Sequence, residues 1–209
     1  MEFKDAAAQR TSVRNFTDEK IPVSDLQEMV RIARLAPSIS GAELWRFIAV
    51  TNKDVLKQMG EAVKKKYDEI IPENDKRVTE NVKLAVTQFS TFFLKAPAII
   101  AVLMQPYTAI IDNILSDTKY THEEINKIRN YPDIQSIGAA IQNLLLAAVD
   151  LGYGACWLTG PMVAKDELSE IIGIKAPHTL AAFVAVGKPD KEQTPKTKKS
   201  VDEIFRIMD

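Results

Sequence analysis

The sequence predicts an α+β protein, with several helices around a small sheet. Three observations carry this expectation. Several segments repeat apolar residues at helical spacing, and residues 134–151 do so almost all round the helix. Continuous apolar runs, such as residues 97–104 (PAIIAVLM), read as strands covered on both faces. Of the 209 residues, 46% are hydrophobic and 26% charged, which fills a core and argues against disorder.

Residues 3–10 are expected to form a short helix. Ser24 and Gln27 fit a capping box for a second helix, with Leu26, Met29, Val30 and Ala33 on one face and an end before Pro37. Residues 46–51 (RFIAVT) read as a buried strand. Leu56, Met59, Val63, Tyr67 and Ile70 mark a helix closed by Pro72, with Lys64, Lys65 and Lys66 on its solvated side. Val78, Val82, Ala85, Val86, Phe89 and Phe93 mark the next, stopped by Pro97. Thr121 and Glu124 fit a capping box for a short polar helix near 122–130. Residues 155–159 and 179–186 are the remaining strands, with a helix over 165–172 between them. From Gly187 the composition shifts to Lys, Pro and Thr, an extended tail that ends in an amphipathic stretch over 201–207.

Domains usually run to about 100–200 residues, so one is expected here and two at most. The formal net charge of −1 gives no global field for nucleic acid or an anionic membrane. One cysteine, Cys156, excludes an intramolecular disulfide framework, and no cluster has thiolate metal-ligand spacing. The two histidines, His122 and His178, stand far apart, so no metal site is expected. The start (MEFKDAAAQR) lacks the apolar core of a signal peptide, and residues 143–149 are too short an apolar run to span a bilayer. The expected setting is a soluble protein of the cytoplasm.

General catalytic motifs are missing: no phosphate-binding glycine loop, no dinucleotide fingerprint and no nucleophile elbow. Cys156 reads as a buried small hydrophobe, and Trp45 and Trp157 read as core residues before cofactor stackers. More informative is residues 9–16 (QRTSVRNF). If this run is extended, Arg10, Ser12 and Arg14 share one face, and two guanidinium forks around a hydroxyl suit a phosphate or a planar polar edge. An ordinary solvated segment is the alternative. Residues 36–47 (APSISGAELWRF) form a loop that offers small polar groups, or a plain connection. Lys196, Lys198 and Lys199 make an anion contact or a solvated charge run.

Taken in order, these segments resemble the nitroreductase family of FMN-dependent oxidoreductases. The resemblance rests on Arg-x-Ser-x-Arg-x-Phe over 10–16 and on Ala36-Pro37-Ser38. Trp45-x-Phe47, the run 138–157 (GAAIQNLLLAAVDLGYGACW) and 186–189 (VGKP) before the lysine tail complete it. The likeness covers about 10–51, 94–104, 134–160 and 181–205. It implies an intertwined homodimer with a small, mostly antiparallel central sheet and two FMN sites at the subunit interface. The helix 134–151 would be a core dimer element, and 188–209 would embrace the partner subunit. The whole chain, 1–209, would be a single FMN-binding domain, with 106–133 as a lid or substrate-side insertion.

By the same resemblance, Arg10 and Ser12 match positions at the FMN phosphate and ribityl chain. Arg14 matches a cation at the pyrimidine edge of the ring. Pro37, Ser38, Ile39 and Gly41 match the loop supplied by the other subunit. Leu158, Thr159 and Gly160 match the backbone facing flavin N5, and Lys198 and Lys199 match a basic phosphate ligand. The family commonly shows Asn and then Gln-Pro where Gly41, Glu43 and Leu44 stand here. Glu43 is expected either to pair with a cation such as Arg46 or to lower the flavin's potential. The implied activity is hydride transfer from NADH or NADPH through FMN to a nitroaromatic, quinone or similar acceptor, in ping-pong order and with no catalytic side chain. The alternatives are a flavin-dependent reductive dehalogenase or a flavin-degrading enzyme of the same fold, or a non-catalytic flavin-binding or interaction protein.

Overall fold

The computed structural model describes residues 1–72 and 77–208; Asp209, the end of the expected tail, lies outside the described residues. In chain order the helices are α1 (Phe3–Gln9), α2 (Val23–Ala33), α3 (Lys53–Ile70), α4 (Glu80–Thr91), α5 (Ile110–Ile114), α6 (His122–Ile128), α7 (Pro132–Asp150), α8 (Lys165–Ile171) and α9 (Val201–Ile204). The strands are β1 (Trp45–Val50), β2 (Ala98–Met104), β3 (Gly154–Leu158) and β4 (Thr179–Gly187). Short 3₁₀ turns lie at Ile39–Gly41, Phe92–Lys95 and Gly160–Ala164.

The strands form one sheet in the order β1-β2-β4-β3, and every pairing is antiparallel. The α+β expectation holds, as does the mostly antiparallel sheet. Period two splits β2 between two cores. Ala98, Ile100 and Val102 face α2 and α7, beside Met29, Ile141 and Leu144. Ile99, Ala101 and Leu103 face α3 and α8, beside Leu56, Met59, Val63 and Leu168. Helices therefore cover both faces, which is why this run is apolar at every position. Burying one such side chain stabilises by roughly 1.5–3 kcal/mol.

One expectation needs correction. Ser24 does not cap α2, because Pro22 takes that place and its carbonyl accepts from the Asp25 and Leu26 amides at 3.1 and 3.2 Å. Ser24 is drawn into the first turn, where its hydroxyl meets Asp25 Oδ1 at 3.2 Å. A separate finding concerns α7, which is apolar almost all round. Within one chain α2 and the sheet already bury Ile137, Ala140, Ile141, Leu144, Leu145 and Ala148. Its surface is therefore no argument for a second subunit.

The Thr121–Glu124 box does form: the Glu124 amide donates to Thr121 Oγ1 at 3.2 Å, and Glu124 Oε2 accepts from the Thr121 amide at 2.7 Å. It starts α6 inside the 106–133 segment. Beyond β4 the chain has no helix or strand up to α9 and is mostly exposed. Among the described residues no helix is long and apolar enough to cross a membrane.

Candidate functional site

After α1 the chain runs along the free edge of β3. Ser12 bridges Ala155, and the Val13 amide donates to the Ala155 carbonyl at 3.1 Å. Val13 turns inward over Gly154, where a Cβ would come within 2.6 Å of it, so only glycine admits this contact. Arg10, Ser12 and Arg14 consequently share the other face, as period two requires. They gather about Cys156, which is 3% exposed. Burial pushes the Cys156 thiol up, while Arg14, the Ser12 hydroxyl and Arg10 pull the other way. Its protonated, enclosed state suits packing and not nucleophilic attack.

The Arg14 guanidinium lies 5.5 Å from the Phe89 ring centre and 5.9 Å from that of Phe92. With those rings, Cys156, Trp157 and the backbone of Leu158, Thr159 and Gly160, it lines a cleft of about 70 Å³. Behind the cleft the Tyr67 hydroxyl donates to the Gly160 carbonyl at 3.2 Å, and the Ser90 hydroxyl donates to Tyr67 at 2.8 Å.

A second groove, of about 280 Å³, is lined by Pro37, Ser38 and Ile39 against Pro132, Gln135, Ser136 and Ala139 of α7. The Ile39 amide donates to Ser136 Oγ at 3.0 Å, and that hydroxyl donates to the Pro132 carbonyl at 2.7 Å. Ser38 Oγ accepts from the Glu43 amide at 3.0 Å. The loop takes left-handed backbone at Ser40, Gly41 and Glu43, with φ of 49°, 64° and 46°. Ser40 Oγ and the Tyr107 hydroxyl are 2.8 Å apart, which ties this loop to the segment before α5.

The expected Glu43–Arg46 pair does not form. Glu43 is exposed and, among the described residues, in no ion pair, while Arg46 Nη1 donates to the Trp45 carbonyl at 2.7 Å. Left-handed backbone at Glu43 precedes the strand in which Arg46 sits. Trp157, expected in the core, is 42% exposed.

Three groups of matched residues result. Arg10, Ser12 and Arg14 stand with Leu158, Thr159 and Gly160. Pro37, Ser38 and Ile39 line the other groove, which shares no lining residue with the first, and Gly41 follows them in the same loop. Lys198 and Lys199 are exposed in the extended tail, and among the described residues no hydrogen bond joins them to Arg10. Sequence reasoning missed Tyr67, Ser90, Tyr107 and Ser136. Ser90 carried the one usable signal, a hydroxyl directly after the apolar position Phe89. Among the described residues no three His, Cys, Asp or Glu side chains come together as metal ligands would.

Comparison with known proteins adds a family. The profile of the nitroreductase family matches residues 7–188. A BluB-like flavoprotein from Clostridium difficile 630 is 31% identical, with a TM-score of 0.88 over 100% of both chains. A putative NADH dehydrogenase/NAD(P)H nitroreductase of Archaeoglobus fulgidus is 27% identical over 191 residues, covering 88% of this chain and 83% of that protein. An iodotyrosine deiodinase solved with FMN and 3-iodo-L-tyrosine superposes over 100% of both chains with a TM-score of 0.72 at 23% identity.

Proposed function

The chain belongs to the nitroreductase family, and on that premise we propose that it is an FMN-dependent oxidoreductase. It takes reducing equivalents from NADH or NADPH and gives them to a nitroaromatic, quinone or similar small acceptor. One observation carries this reading. The chain gathers two guanidiniums and a hydroxyl on one face, beside a glycine turn too close to its neighbours for a side chain. That donor set fits the cofactor, since arginine forks bind phosphate and a planar polar edge. The flavoprotein and FMN-bound neighbours support the same cofactor, and the Archaeoglobus relative supports the nicotinamide donor.

FMN, when bound, supplies the hydride and electron chemistry. The chain's residues position it. Arg10 and Ser12 hold the phosphate and ribityl end, with Lys198 and Lys199 as further cations. Arg14 holds the pyrimidine edge, where its positive charge favours the anionic reduced ring. The Thr159 and Gly160 backbone faces the reactive side. Pro37, Ser38, Ile39 and Gly41 complete the pocket from a second subunit, which accounts for two half-sites lying apart in one chain. No side chain is assigned as an acid or base. The unit is one domain over 1–209 with 106–133 as its cover, soluble and cytoplasmic.

The test is purification with added FMN. A yellow protein whose flavin spectrum bleaches under NADH or NADPH and recovers with a nitroaromatic or quinone is the expected result. A colourless protein that quenches no FMN fluorescence removes the cofactor from the reading. Halide release from an iodophenol with no turnover of nitroaromatics or quinones redirects it to dehalogenation.

A further inference from the structure

The segment from α3 to α4 contains none of the motifs on which the sequence resemblance rests, yet it places two hydroxyls behind the turn at Thr159 and Gly160. Tyr67 reaches from α3 and donates to the Gly160 carbonyl at 3.2 Å. Ser90 reaches from α4, is 2% exposed and donates to the Tyr67 oxygen at 2.8 Å. A helical serine or threonine commonly bonds a carbonyl of its own helix one turn back, as Thr91 does with Thr87 at 2.8 Å. Ser90 instead spends its hydroxyl on another element.

The consequence falls on Gly160, a residue type with the widest backbone freedom. Two peptide planes meet there. The one before it is held because the Met162 amide donates to the Thr159 carbonyl at 3.0 Å. The one after it is held by Tyr67. In a trans peptide the N–H points opposite to the carbonyl, so the first bond sets where the Gly160 N–H aims and the second stops the residue rotating. A Cβ on Gly160 would lie 2.8 Å from Ser90 Oγ and 3.3 Å from Ser90 Cα, so glycine also lets α4 close directly on the turn.

We infer that Tyr67 and Ser90 are positioning residues that fix the direction of the Gly160 N–H at the cofactor face of the cleft. The inference rests on the FMN reading above. Neither hydroxyl reaches the reacting atoms; both act through the turn. An N–H held toward the flavin ring favours the oxidised form, whose nitrogen accepts, over the reduced form, whose nitrogen carries hydrogen.

Tyr67→Phe and Ser90→Ala test it, because each removes a hydroxyl and keeps most of the packing. In the flavin-free protein, exchange of the Thr159, Gly160 and Met162 amides should quicken about five- to tenfold, the loss of one hydrogen bond of ordinary net strength. In the FMN-loaded protein the two-electron potential should rise by about 30 mV, a tenfold change in the reduction equilibrium. A role confined to stability would lower the thermal midpoint and leave the potential where it was, which overturns the inference. So would unchanged exchange and unchanged potential in both variants. A wild-type protein that takes up no FMN overturns the functional reading and, with it, the bearing of these residues on a flavin.

Discussion

Arg14 lies against two aromatic rings, so its guanidinium is oriented before any ligand arrives. Such contacts contribute roughly 0.5–1 kcal/mol at exposed sites, and a planar guanidinium can stack on the rings as an ammonium cannot. Arg10 differs: it is half-buried at the end of α1, with its charge directed to the same face. A charge-assisted bond contributes roughly 1.5–3 kcal/mol, so Arg10→Ala should weaken FMN binding by about ten- to a hundredfold. Fluorescence titration measures this, and unchanged affinity would take Arg10 out of the site. Away from the cleft, Tyr153 donates to Asp25 Oδ2 at 2.6 Å, with Lys188 Nζ 4.1 Å from its ring centre. Burial first, and then the Asp25 carboxylate, push its phenol up to about 12. A raised folded value means the native state keeps a proton that the unfolded chain releases near its ordinary value of about 10. Its contribution is therefore complete below that pH and is lost as pH rises towards 12. Urea midpoints should fall more between pH 9 and pH 11.5 in the wild type than in Tyr153→Phe. Parallel losses would show that Tyr153 is not the titrating group.

The segment between β2 and α7 shows how short helices become ordered. Asp112 Oδ2 caps the Ala109 amide at 2.6 Å, and Oδ1 meets His122 Nδ1 at 2.7 Å, which joins α5 to α6. Partial burial works against the Asp112 carboxylate, but the Ala109 amide, His122 and Arg129 together hold its pKa below the ordinary value. At the far end Asn126 Nδ2 donates to both oxygens of Asp133, at 3.1 and 3.0 Å, and fastens α6 to the start of α7. Asp133 is 2% exposed, so a lost partner leaves a buried carboxylate short of donors. Asn126→Ala should cost about 1.5–3 kcal/mol, read as a lower urea midpoint with faster amide exchange in α6. No loss would mean that the apolar contacts of Ile125 alone seat the helix. Much at this scale was legible from local pattern. The Thr121–Glu124 box formed where it was read, and the run of β2 became a strand covered on both faces. The Ser24–Gln27 box met the same pattern and failed, because Pro22 started α2 earlier. The site was legible where spacing alone builds it, as in the alternating Arg10, Ser12 and Arg14. Tyr67 and Ser90 were not, because their meeting depends on how α3 and α4 pack together, which no local period encodes.

At the scale of the whole molecule, the two helical layers account for the core, yet the last turns of the chain remain apolar and bare. Val201, Ile204, Phe205, Ile207 and Met208 are all exposed beyond the extended tail that holds Lys198 and Lys199. β1 is an edge strand, and the grooves at residues 37–39 and at Arg14 stand apart. A second copy that covers the tail would gain roughly 1.5–3 kcal/mol for each large side chain fully buried, which makes a stable homodimer reasonable from a few residues. The tail tests this better than α7 does. A charge at Leu145 would damage the interior of one chain, whatever its assembly, since that residue is 5% exposed. A Phe205→Glu and Ile207→Glu double variant touches no buried position. It should sediment as a monomer at micromolar concentration with unchanged near-ultraviolet dichroism, while the wild type sediments as a dimer. On the two-subunit site proposed above, FMN affinity should fall with it. A wild type that is monomeric, or a double variant that stays dimeric, would each remove the tail as the element that joins two subunits. A monomer that binds FMN as tightly as the dimer would place the whole cofactor site within one chain.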